Sequence, residues 1–177
     1  MDSTKEGVIK EIADTLYNQK RYDEAGFFYF ARAKYTNLAV DYFYATRADY
    51  LGGNNKRGIE AAEGMITKLP NVITGYQWKA RHLAYMDTIN KGAAAVPFQE
   101  KVIELASVDK AKNSGALMEA LNWLTVYYIN VKKDYVKAQT YNDQALEIDA
   151  NNEQVMKLFN FLTEVTTNPP KKSTKKG

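Results

Sequence analysis

His82 is the only histidine of the 177-residue chain, and it stands beside Arg81. A histidine that holds a metal or acts as a base needs a second ligand or an acid to orient it. No cluster of histidines or carboxylates is spaced to supply one. On a helix, such a residue next to a cation reads as part of a partly exposed surface. Glu100 and Glu104 lie one helical turn apart, which is the spacing of a solvated charged face. Gly52-Gly53 lacks the lysine and hydroxyl residues that complete a phosphate cradle. Cysteine is absent, so disulfide frameworks and thiolate metal sites are excluded. The sequence assigns no catalytic residue, no metal ligand and no cofactor, and it predicts a protein that is not an enzyme.

Composition limits the remaining classes. Hydrophobic residues at 45% and charged residues at 25% are those of a folded, water-facing domain. Thirteen tyrosines exceed seven phenylalanines and two tryptophans. A tyrosine ring can be half buried with its hydroxyl in water, which suits a thin layered fold. The net charge of +3 rests on Lys171, Lys172, Lys175 and Lys176, without which acids and bases nearly balance. A nucleic-acid surface requires a basic stripe, so no nucleic-acid partner is expected. No apolar run reaches the ~20 residues that cross a bilayer, so no membrane span is expected.

The elements that must position any site are helices. Asp134-Tyr135-Val136-Lys137-Ala138 opens one, Ala145 repeats the small side chain two turns later, and Asp149-Ala150-Asn151-Asn152 closes it. A near copy of the opening occurs at Tyr22-Asp23-Glu24-Ala25. Ile9, Ile12, Ala13 and Leu16 form a helix upstream of that copy, and Gln19-Lys20-Arg21 makes the turn. A second unit starts near Tyr42 and turns at Gly52-Gly53-Asn54-Asn55. Its second helix runs from about Lys56 to Lys68 and is ended by Pro70. A third unit starts at Tyr76, with an enlarged turn over 87–94 and a second helix from about Pro97. After a polar stretch over 107–114, Leu117, Leu121, Trp123, Leu124, Tyr127 and Tyr128 form a long helix that precedes the one over 135–148. Val155, Leu158, Phe159, Leu162 and Val165 then repeat at helical spacing up to Asn168-Pro169-Pro170. Ala138 and Ala145 are expected at a buried helix–helix contact, because only small side chains let helices approach closely.

These patterns resemble the tetratricopeptide repeat (TPR) superfamily, whose unit of about 34 residues is a helix pair with small residues at the crossing. The resemblance covers roughly residues 6–165. It implies an all-α fold, a right-handed α-solenoid of about four helix pairs with a C-terminal capping helix, and no strand. The array is expected over 1–168, with a disordered basic tail over 169–177 that has no apolar residue with which to dock. A narrower likeness rests on Tyr76, Trp78-Lys79-Ala80-Arg81, Pro97-Phe98-Gln99-Glu100-Lys101 and Ile103-Glu104-Leu105-Ala106. This part is similar to the C-terminal region of exported TPR proteins of the Gram-negative bacterial envelope. That likeness implies a fragment of a longer periplasmic or envelope-associated chain; without it the N-terminus reads as cytoplasmic.

The resemblance further implies a non-catalytic scaffold that binds a protein or peptide in a concave groove lined by the first helix of each pair. On this register Tyr44, Arg47, Trp78, Arg81, Trp123, Tyr127 and Asn130 are the partner-binding positions, with Lys10, Asp14 and Tyr17 on the same face. Trp, Tyr and Arg dominate binding hot spots because they bury much area with few rotors. The carboxylate clamp of chaperone-binding relatives does not fit. Lys10 matches its first lysine, but Asp14 and Tyr44 replace its asparagines, and an acid there repels a terminal carboxylate. The alternative reading is a structural segment of a longer TPR solenoid, or a self-association module. Neither reading fixes an oligomeric state.

Overall fold

The computed structural model describes residues 3–88 and 91–167. Among these residues every regular element is helical, and no strand occurs. The chain divides into two compact units, Met1–Leu105 and Ala106–Gly177.

The first unit holds α1 (Ser3–Asn18), α2 (Tyr22–Thr36), α3 (Ala39–Gly52), α4 (Asn55–Lys68) and α5 (Ile73–Met86). A single 3₁₀ turn at Ala93–Ala95 then leads into α6 (Val96–Ala106). Each of α1 to α4 packs on the next helix in sequence. Alanines make this possible: Ala13, Ala25, Ala33, Ala45, Ala48, Ala61 and Ala62 are all fully buried. A methyl at each crossing lets backbones approach, and Leu16, Tyr29, Tyr42 and Met65 fill the spaces between.

The turns follow from their residues. Gly53 ends α3 at φ 78, a left-handed position that costs glycine nothing. Asn54 then starts α4, its side-chain oxygen accepting the Arg57 amide at 3.3 Å. Asn37 closes α2 in the same left-handed conformation. Both α3 and α5 begin about one turn before the expected starts at Tyr42 and Tyr76. Leu38 and Val72 sit in extended backbone just ahead of them and offer no side-chain cap. The first large residue of each unit therefore lies inside its helix rather than at the entrance.

In the second unit a 3₁₀ turn at Ser107–Asp109 precedes α7 (Ser114–Tyr127), α8 (Tyr135–Ile148) and α9 (Glu153–Thr167). Between α7 and α8 the chain widens into a π-turn at Tyr128–Lys132, closed by Lys133 in the left-handed region. No residue pattern in the sequence marks that turn. The bounds of α8 are those expected, with Asp134 accepting from the Lys137 amide at 3.0 Å. Ala138 and Ala145 are fully buried, as are Leu117, Leu121 and Leu124 of α7. The terminal helix α9 buries Val155 and Leu162 and packs on α8. Asn152 opens it by accepting from the amides of Gln154 and Val155. The expected disordered tail over 169–177 lies outside the described residues.

Candidate functional site

On α3, Phe43, Tyr44 and Tyr50 each lie about one turn from Arg47 and share its face. Tyr44 stacks on Tyr29 of α2, with ring centres 5.4 Å apart and planes at 26°. The Tyr29 hydroxyl donates to Asp14 of α1 at 2.7 Å, and Lys10 reaches the other oxygen of that carboxylate. Burial raises the Asp14 carboxyl, but hydrogen bonds from Lys10 and Tyr29 outweigh it and hold the group below its ordinary value. Burial, reinforced by Asp14, pushes the Tyr29 hydroxyl well above the usual tyrosine range. Asp14 is therefore held as an anion, with Tyr29 on one oxygen and Lys10 on the other.

Arg47 occupies the middle of the same face. It is exposed, and its guanidinium lies over the Tyr17 ring at 5.4 Å. Toward α5, Phe43 and Tyr50 each meet the half-buried Trp78 edge-on, at 6.3 and 5.7 Å. Arg81 covers the Trp78 ring at 4.7 Å. Four of the expected residues, Tyr44, Arg47, Trp78 and Arg81, thus fall on one aromatic surface reaching from α1 to α5. Sequence reasoning missed Phe43 and Tyr50, although their spacing from Arg47 on a helix was the available signal. The other three lie in the second unit. Trp123 stacks on the buried Tyr127 at 5.3 Å with planes 10° apart, and Asn130 is exposed in the π-turn.

His82 is a correction. It is fully buried rather than partly exposed. Its Nδ1 lies 2.9 Å from Asn55 Oδ1 on α4, and its Nε2 is 3.1 Å from the carbonyl and 3.0 Å from the hydroxyl of Thr46 on α3. Tyr50 and Trp78 close over the ring. Burial depresses its pKa to about 4, more than the Thr46 carbonyl can offset, so the ring is neutral at pH 7. It cross-links three helices from inside the packed layer.

The other buried charges are also paired. Asp41 receives Arg32 and the Thr36 hydroxyl. Asp49 receives Arg57 Nε at 2.9 Å and 3.0 Å on its two oxygens. Burial outweighs that guanidinium and raises the Asp49 carboxyl to about 6. No group of three or more His, Asp or Glu among the described residues is arranged to hold a metal ion. No described helix is long and apolar enough to cross a membrane.

No family model matches the chain, and no curated protein does. Solved structures do. The C-terminal part of a TPR repeat-containing protein from Cytophaga hutchinsonii superposes with a TM-score of 0.80 at 25% identity, over 89% of this chain. The fold is TPR-like. A MamA RS-1 double mutant gives a TM-score of 0.70 at 17% identity, covering 93% of this chain and 86% of that one, which bears on the fold alone. The chain spans 61% of the Cytophaga structure's length. The expected TPR resemblance, down to the C-terminal part of a TPR protein, agrees with this likeness. The helices accordingly form an all-α helical-repeat fold of TPR-like type.

Proposed function

We propose that this chain is a non-catalytic scaffold for protein–protein interaction, and that the first-helix face of α1, α3 and α5 receives a protein or peptide partner. The observation that carries this reading is the grouping of Tyr44, Arg47, Tyr50 and Trp78, large side chains left partly or fully open to solvent. Behind Tyr44 lies a buried core that includes Ala13, Tyr29 and Ala45. Surfaces rich in Trp, Tyr and Arg supply most of the energy of known interfaces. A non-catalytic role is supported by the ionisable groups of the interior, since Asp41, Asp49 and His82 are each spent on holding helices together.

Trp78→Ala tests this reading. The wild-type chain, immobilised beside the variant, is exposed to an extract of the native organism, with circular dichroism confirming that both are folded. A protein retained by the wild type and lost with Trp78→Ala supports the reading. Retention unchanged by Trp78→Ala overturns it.

The alternative, a structural segment of a longer solenoid or a self-association module, has one observation in its favour. Val8 and Ile12 of α1 are 49% and 38% exposed, an apolar pair one turn apart on the first helix. Val8→Lys with Ile12→Lys converts a self-associating chain to a monomer in sedimentation. A wild-type monomer at all concentrations removes self-association.

A further inference from the structure

The charges on the proposed binding face are unequally satisfied. Asp14 is consumed by Lys10 and Tyr29. The two acids of α3, Asp41 and Asp49, are turned inward, fully buried, and held by Arg32 and Arg57. Arg47 is different. It is exposed, it forms no ion pair among the described residues, and its guanidinium lies over the face of Tyr17 at 5.4 Å. An arginine stacked on an aromatic ring is held in place with its donor edges free, and those edges match the two oxygens of a carboxylate. One turn along α3 in either direction, Phe43 and Tyr50 lead to Trp78, so an apolar surface begins beside the cation.

Resting on the binding role proposed above, we infer that the occupant of this face is an acidic segment whose Asp or Glu side chain pairs with Arg47 while a neighbouring large apolar residue lies against Tyr50 and Trp78. The carboxylate belongs to a side chain rather than to a chain terminus. Capture of a terminus takes several converging donors, whereas Lys10 on α1 is paired with Asp14 and Arg81 lies over the Trp78 ring. The Arg47 fork beside an apolar surface reads one acid and one apolar residue within a continuing chain.

The test is a selection from a displayed library of random segments about a dozen residues long, each anchored at both ends so that no terminus is free. The whole chain, wild type and Arg47→Gln, is the bait. Wild-type selection is expected to enrich Asp or Glu at one position next to a large apolar residue, and Arg47→Gln to lose the acid while keeping the apolar preference. A selected segment, synthesised with blocked ends, should bind Arg47→Gln at least about tenfold more weakly. The same loss should follow from Glu→Gln in the peptide, with no further loss when both are combined. Arg47→Lys should recover part of the binding. Enriched segments without an acid, or equal affinity for wild type and Arg47→Gln, overturn the inference while leaving the binding role standing. No enrichment by the wild type removes both. Since Arg47 is exposed, an unchanged melting temperature is the check that Arg47→Gln remains folded.

Discussion

Gly26 of α2 lies against the carboxylate of Asp49 on α3, so close that a Cβ on the glycine would stand 2.0 Å from Oδ1 and 2.9 Å from Cγ. The carboxylate cannot swing aside, because Arg57 holds both of its oxygens. Gly26→Ala is therefore expected to cost about 1–3 kcal/mol despite alanine's better helix propensity. Gly115→Ala on α7, where a Cβ meets nothing within 4 Å, is the control and should be neutral or stabilising. Urea denaturation of both variants checks the pair; equal effects would show that the α2–α3 crossing yields easily.

The buried His82 makes stability depend on pH. Its folded pKa of about 4 is below the ordinary 6.5, so the unfolded chain binds the proton more readily. The stability it contributes is complete above pH 6.5 and is lost as pH falls through about 4, roughly 3 kcal/mol in all. Asp49 works in the opposite sense: with its pKa raised to about 6, its contribution is fullest below 3.8 and is lost as pH rises through 6. The two partly cancel in the wild type. Comparing wild type with His82→Gln isolates the histidine, and the wild type's advantage at pH 7 should shrink as pH falls to 4. A constant gap would mean that His82 takes up its proton without penalty.

Ala138 sits with no exposed surface where α8 meets its neighbours. Ala138→Leu forces three further carbons into a closed layer and is expected to cost roughly 1–3 kcal/mol. A melting temperature equal to wild type would mean that α8 shifts to accommodate the larger side chain.

Asn142, also on α8, is fully buried, and neither its Oδ1 nor its Nδ2 has a partner. An unsatisfied buried amide costs about 1–3 kcal/mol. Asn142→Leu should therefore stabilise the second unit, as a higher urea midpoint with an unchanged slope. A lower midpoint would indicate that a buried water normally serves the amide.

These cases also show what the sequence made legible. The α8 crossing could be read because its signals are local: a capping Asp134, then Ala138 and Ala145 on one side of a single helix. Tyr44, Arg47, Trp78 and Arg81 were recognisable as residue types on first helices. His82 was not legible. The partners that bury it, Asn55 and Thr46, stand 27 and 36 residues away on other helices, and only its charged neighbour Arg81 is visible in the local sequence. The π-turn at Tyr128–Lys132 left no trace for a similar reason, since it adds no glycine, proline or charge pattern to an otherwise helical stretch. The starts of α3 and α5 were misjudged because Leu38 and Val72 carry no capping side chain.

Arg57 has a consequence for how the first unit comes apart. A stack of helix pairs ordinarily frays from an end, each pair leaving with little effect on the others. Arg57 stands on α4, holds Asp49 of α3, and also reaches Asp23 of α2 through the carbonyl at 2.6 Å and the carboxylate at 2.7 Å. One side chain thus spans the seam between successive repeats. Peeling α2 away strips the guanidinium of two of its acceptors, and removing α4 leaves a buried carboxylate with no counter-charge. Helices α2, α3 and α4 are fastened as a single block within an otherwise modular stack, and their amides should become open to solvent together rather than in order along the chain.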